Sequence, residues 1–260
     1  MSATPSPEVI ESLKQKEVAD MLSQGKRVDG RGLLEYREIK VEDGGLEKAH
    51  GSAVVTIGKT KVLASVKTEV ASPFPDTPSE GILIVNVELI PFAKPYFGFA
   101  HPDEEAVELA RVVDKSLRGS QAIDLAGLCI KPGEQVISIF IDLYTLNHDG
   151  NLVDTAMLAT LKALKNTTIP AIPGFSGEPK PLKLQNSPLN VSFAKIGDKM
   201  VVDPSLVEER VAQVKLSIGI DERGNVCSIQ KSGPGTISLI EAREAVNTAI
   251  EKARGLLKLL

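Results

Sequence analysis

Three cations, Arg111, Lys115 and Arg118, stand four and then three residues apart in the stretch ELARVVDKSLRG at 108–119. On a helix that spacing puts them along one face over roughly two turns, a reach suited to adjacent phosphates of a single nucleic-acid strand. The chain around them is acidic, with 30 Lys plus Arg against 34 Asp plus Glu and a formal net charge of −4. Wholesale coating of nucleic acid is therefore excluded, and any such contact must be local. The stripe also has an ordinary explanation. Glu104 and Glu108 continue it upstream and Asp114 precedes Arg118 by four, so surface ion pairs of about 0.3–0.5 kcal/mol each would account for it.

Other chemistry-bearing residues do not assemble. His50, His101 and His148 are scattered without HxxxH spacing. Cys129 and Cys227 lie in apolar, strand-like runs with no CxxC or Cys/His spacing, and read as reduced, buried thiols. Asp142, Asp149 and Asp154 flank one turn and have the chemistry to hold magnesium, but turn and helix-cap roles account for Asp149 and Asp154 more simply. GSAVVTIGKT places six residues rather than four between Gly51 and Gly58 and reads as strand, so it is no phosphate-binding P-loop. GPG at 233–235 lacks the third glycine of a dinucleotide fingerprint. No Ser/His/Asp or Cys/His arrangement can be argued, and neither a metal nor a cofactor is expected.

The elements that would position the stripe follow from patterning. At 260 residues and 42% hydrophobic, the chain can bury a core as one large domain or two joined lobes. No signal peptide and no apolar run of about 18 residues occurs, so a soluble, cytoplasmic protein is expected. An amphipathic helix is predicted over about 7–24, stopped by Gly25. Strands follow at Tyr36–Val41, then SAVVTIG and KVLASVKTEV paired across Gly58, Lys59 and Thr60, then ILIVNVELIP, apolar enough for the middle of a covered sheet. The helix carrying the stripe begins near Pro102, buries Ala106, Ala110, Val113 and Leu117, and ends at Gly119. A strand at Gln135–Leu146 and a helix at Asp154–Lys165 come next, and then a stretch rich in proline and glycine. Beyond it lie two hairpins, LNVSFAKIGDKMVVD and VKLSIGIDERGNVCSIQ, and a last helix opened by the capping box of Ser238 and Glu241. The expected fold is α+β, two lobes of antiparallel strands packed with helices. The divisions are a helical arm at 1–29, a first lobe at 30–167, a linker at 168–188 and a second lobe at 189–260.

Seven blocks, RVDGRGLLEYREIKV, GSAVVTIGKTKVLASVK, GILIVNVELIP, PDEEAVELARVVDKSLR, DGNLVDTAMLATLKAL, MVVDPSLVEE and IQKSG, occur in the order and positions of the RNase PH family. The chain resembles this family over about residues 24–258, and within it looks most like the non-catalytic archaeal exosome branch. The resemblance implies two RNase PH lobes. It also implies a six-membered ring, a trimer of heterodimers, in which this chain alternates with a catalytic RNase PH-like subunit. RNA-binding cap proteins would sit on that ring, and single-stranded RNA would be shortened from its 3′ end by inorganic phosphate.

The resemblance further implies that this chain does not itself catalyse. Where active members carry a Gly-Ser-Arg phosphate cradle, GNLVD places Leu152 and Val153. Where they carry an arginine pair, Asp103, Glu104 and Glu105 stand, and the position of the catalytic aspartate falls at Lys215. Arg111, Lys115 and Arg118 match basic positions along the RNA path. With about −0.7 per neutralised phosphate, the three would supply a salt-dependence slope of about −2 per subunit. FGFAHPDEE departs from the family's usual GPPDE, which puts the adjoining loop contacts in question. A self-sufficient phosphate-dependent exoribonuclease and a scaffold that never touches RNA are the alternatives.

Overall fold

The computed structural model describes residues 16–90 and 104–260. Two sheets and the helices between them form an α+β fold. In the first sheet β1 (Ile39–Asp43), β2 (Gly51–Ile57), β3 (Thr60–Ala71), β6 (Gln135–Asn147) and β4 (Ile82–Leu89) lie in that spatial order, and β5 (Cys129–Lys131) also pairs with β6. All pairings are antiparallel except β4 with β6. That parallel pair needs a crossover, and helix α2 (Glu104–Gly119) supplies it. In the second sheet the order is β10 (Lys199–Val202), β9 (Leu189–Ile196), β11 (Val214–Ile220) and β12 (Val226–Ser232), antiparallel throughout. Between the sheets runs α3 (Leu152–Lys165), hidden over most of its surface, with Ala156, Met157, Leu158, Ala159 and Leu161 inaccessible to solvent. Short helix α4 (Leu206–Val211) follows β10, and α5 (Leu239–Leu257) packs Ala245, Ala249 and Ala253 onto the second sheet.

Most predicted elements are present, with instructive differences. The capping box of Ser238 and Glu241 forms, and β2 and β3 join through the two-residue turn Gly58–Lys59. ILIVNVELIP does not lie mid-sheet: among the described residues β4 ends the sheet order, with Ile82 and Leu83 buried but Asn86 and Glu88 exposed. Its apolar side chains pack under α2 and against the core, so the run reflects cover from one helix. β1 starts at Ile39 rather than Tyr36, because the preceding residues are held by side chains. The Tyr36 hydroxyl donates to Asp154 Oδ2 at 2.7 Å, and the Arg37 amide donates to Asp203 Oδ2 at 2.8 Å. Helix α2 buries Leu109, Val112, Val113, Ser116 and Leu117, while Ala106 and Ala110 are only half-buried. Cys129 and Cys227 are free thiols in strands, but half-buried rather than buried. The stretch after α3 contains a two-residue ladder, β7 (Thr168–Ile169) with β8 (Lys180–Pro181).

The described part of the N-terminal helix, α1 at 16–23, packs on its own chain. Val18 and Leu22 join Ala194, Ile196 and Val201 of β9 and β10. Directly after it, Arg27 is buried and donates to Glu208 Oε1 and Oε2 at 2.8 and 2.6 Å, and to the carbonyls of Val202 and Asp203 at 2.7 and 2.8 Å. A guanidinium offers five fixed donors, so one buried arginine can clamp the arm to the second sheet and to α4 together. The predicted start of this helix, and the predicted helix start near Pro102, lie outside the described residues.

Candidate nucleic-acid interface

The local sequence of α2 separates its two faces. Leu109, Val112, Val113 and Leu117 recur at helical spacing and anchor it to the core, while Arg111, Lys115 and Arg118 stay exposed on the outside. The Ser116 hydroxyl lies within hydrogen-bond distance of Asn190 Oδ1 and of Ser228 Oγ, both at 2.8 Å, which fixes the rotation of α2 about its axis against the second sheet. At the C-terminal end, a Cβ on Gly119 would overlap the Cys227 carbonyl oxygen, so the helix approaches β12 as closely as a glycine permits.

The three predicted contact residues do not share one environment. Arg118 donates from Nε to Asp114 Oδ1 at 2.9 Å and from Nη2 to the Leu83 carbonyl at 2.8 Å. It borders a hollow with Glu80 and Gln121, on the β4 side of the helix. Arg111 and Lys115 face a different hollow, between α2 and β12, and among the described residues no carboxylate comes within ion-pair distance of either. Two of the three cations are thus free to meet an external anion.

Beside this face lies a cleft of about 100 Å³ that the sequence positions singled out above now share. Glu105 of α2, Leu152 and Val153 of α3 and Lys215 of β11 all line it, with His148, Asn151 and Glu209. Asp103 lies outside the described residues. Residue Asn151, in the left-handed conformation with φ 55°, caps α3. Its side chain donates to Asp154 Oδ2 at 3.0 Å and to Asp203 Oδ1 at 2.7 Å, and its backbone amide donates to Glu209 Oε1 at 2.7 Å. A carboxylate of the chain itself therefore sits at the N-terminal end of α3, where helix amides would otherwise attract an anion. Burial pushes the Glu209 carboxyl up to about 7, against the opposing pull of the Asn151 amide and Lys215. With Leu152, Val153 and the Glu209 carboxyl at the head of α3, and Glu105 and Glu108 across from them, inorganic phosphate would meet apolar groups, an occupied backbone amide and like charge on α2, offset by Lys215.

Asp154 does not cap α3, a position that Asn151 holds. It is fully buried and accepts from the Tyr36 hydroxyl at 2.7 Å, from Ser192 Oγ at 2.7 Å and from the Ser192 amide at 3.0 Å. Burial raises its carboxyl to about 6 against those hydrogen bonds. Asp203, by contrast, is held below the usual carboxylate range despite burial, because Arg37 donates to it from Nε and Nη2 at 2.9 and 2.7 Å. Asp149 stands in the turn, its carbonyl accepting from Arg37, and Asp142 accepts from Asn86. No group of three His, Cys, Asp or Glu with metal-binding geometry occurs among the described residues. His50 Nδ1 lies 2.9 Å from the Thr68 amide and 2.8 Å from its hydroxyl, a structural role. His101 lies outside the described residues.

Sequence reasoning missed Asn151, Glu209 and Gln230, the last lining from β12 both the cleft and the hollow between α2 and β12. One signal for Glu209 was present in PSLVEE, where Ser205 and Glu208 form the capping box of α4 and so turn Glu209 toward α3. No helix among the described residues is long and apolar enough to cross a membrane.

Comparison with known proteins agrees with this architecture. Residues 35–170 match the 3′ exoribonuclease family, domain 1, and residues 186–252 match domain 2 of the same family. A relative from Methanothermobacter thermautotrophicus named exosome complex component Rrp42 is 42% identical over 260 residues, covering 97% of this chain and 96% of that one. One of the same name from Methanosarcina mazei is 45% identical over 246 residues, covering 95% and 92%. Among solved structures, a chain of the Archaeoglobus fulgidus exosome with RNA bound to the active site superposes with a TM-score of 0.92 at 40% identity, covering 96% of this chain and 98% of that one. With both family domains matched in order and relatives of such identity over nearly its full length, the chain belongs to the 3′ exoribonuclease family of RNase PH fold.

Proposed function

We propose that the chain is the non-catalytic, RNA-binding subunit of an archaeal exosome, a phosphorolytic 3′-to-5′ exoribonuclease ring, and completes the active site of a catalytic RNase PH-like neighbour. Three heterodimers would form the ring, with RNA-binding cap proteins above it, in the cytoplasm. The observation that carries this is the contrast between two adjoining surfaces. Arg111 and Lys115 stand exposed on α2 with no carboxylate within ion-pair distance among the described residues, while the chain's own cleft presents Leu152, Val153 and the Glu209 carboxyl to any incoming phosphate. Cations on the rim serve to hold a polyanion, whereas phosphorolysis requires them, with an acid, at the reacting phosphate. Relatives named as exosome components, and a likeness to an exosome chain from a structure with RNA bound to the active site, support the same assignment. Arg118, tied to Asp114 and Leu83, contributes to RNA contact less than the other two.

The test is reconstitution. The purified chain, given unstructured RNA, inorganic phosphate and magnesium, is expected to release no nucleoside diphosphate. Co-expressed with its RNase PH-like partner, it is expected to give an assembly whose mass fits three copies of each and which degrades RNA processively. Diphosphate release by the lone chain would assign the chemistry to this subunit and overturn the proposal.

A further inference from the structure

The hollow beneath Arg111 and Lys115 has a shape and a charge gradient that phosphate binding alone does not explain. It measures about 380 Å³, lies between α2 and β12, and is lined by Glu104, Val107, Glu108, Arg111, Lys115 and Gln230. That volume falls within the range of small-molecule sites. Its two cations sit at one end and its two carboxylates at the other, about one turn apart along the helix. A sugar-phosphate backbone is drawn to the cationic end and repelled from the acidic one. What fits the acidic end is the uncharged part of a nucleotide.

Two further features point to a base. Val107 is 39% exposed at the wall of the hollow, an apolar surface against which a flat ring can lie. Opposite it, the Gln230 side chain extends from β12, half-buried and without a hydrogen-bond partner among the described residues. Its neighbour two residues back, Ser228, shares that face of the strand and is already engaged by Ser116. A primary amide carries two donors and an acceptor, the combination that pairs with the donor and acceptor groups on a base edge.

We propose that this hollow seats one unstacked base of the RNA strand whose phosphates Arg111 and Lys115 hold, with the Gln230 amide hydrogen-bonded to the edge of that base. The proposal rests on the assignment of the chain as an RNA-binding subunit. It adds a base-contacting residue to a surface otherwise read as purely electrostatic.

The experiment uses the assembled ring and a short single-stranded RNA in which one abasic nucleotide is walked along the strand. Gln230→Leu is expected to weaken RNA binding by about three- to tenfold, the scale of one or two hydrogen bonds, with an unchanged salt slope because no charge is lost. One abasic position should cost the wild-type ring a similar factor and cost the Gln230→Leu ring nothing further. Gln230→Glu, which keeps the side-chain shape, removes the amide donors and adds a charge, should weaken binding at least as much, and the mass of each assembly checks its integrity. If the variants weaken binding but no abasic position couples to them, the base contact is refuted. Unchanged binding on Gln230→Leu, beside a reduced salt slope on Arg111→Ala with Lys115→Ala, also refutes it while leaving the RNA-binding assignment intact. If that double variant too binds RNA like the wild type, the assignment itself fails.

Discussion

Salt dependence offers a count of the cations that touch RNA. Spacing alone places three in the stripe, which at about −0.7 each predicts a slope of log affinity against log salt near −2 per subunit engaged. The structure lowers that number, because Arg118 spends its guanidinium on Asp114 and on the Leu83 carbonyl. Two free cations give about −1.4, so over a fourfold rise in salt they account for roughly a sevenfold loss of affinity. Arg111→Ala with Lys115→Ala in the assembled ring should therefore make the slope shallower by about 1.4, and Arg118→Ala should change it by less than half of one contact. Fluorescence anisotropy of a labelled unstructured RNA, titrated at four salt concentrations, reads both slopes. The partition drawn from the structure is wrong if Arg118→Ala shifts the slope as much as Arg111→Ala does. Equal slopes for the double variant and the wild type would remove the electrostatic contact altogether.

Three stability measurements probe the scaffold behind that surface. Arg27→Met leaves the Glu208 carboxylate buried beside two carbonyls that lose their donor, so unfolding should cost about 3–5 kcal/mol less and Tm should fall by about 6–10 °C. A loss under 1 kcal/mol would contradict the clamp. Glu209 has a carboxyl raised from 4.5 to about 7 in the folded chain, so its stabilising protonation is complete below pH 4.5 and is lost as pH rises through 7. Urea unfolding of Glu209→Gln should accordingly gain on the wild type between pH 5 and 7.5, by about 1–3 kcal/mol after solvent screening, and a constant difference across that range would disprove the shift. Gly119→Ala should destabilise by about 1–3 kcal/mol despite alanine's better helix propensity, because overlap with the Cys227 carbonyl outweighs a gain of about 1 kcal/mol; a stabilised variant in thermal melts would show that α2 can shift.

How far the sequence could be read varied with the range of the interaction. Capping of α5 by Ser238 and Glu241, the Gly58–Lys59 hairpin and the cation spacing on α2 depend on residues within four positions of each other, and all were legible. β4 was misplaced because an apolar run records how much of a strand is covered but not whether a helix or a sheet covers it. Asp154 was misread for a related reason. Its partners Tyr36 and Ser192 lie 118 and 38 residues away, and nothing in the local pattern of NLVDT distinguishes a cap from a buried acceptor.

The linear chain by itself determined the class of fold, the polarity of α2 and the family to which the molecule belongs, since periodicity, capping and block order survive in one dimension. Only the folded molecule decided which cations are free, that Glu105, Leu152, Val153 and Lys215 surround one cleft, and that Glu209 sits at the head of α3. Those outcomes depend on the packing of α2, α3 and the second sheet against one another. Charge pairing and desolvation act over a few ångströms of space, and separation along the chain says nothing about them.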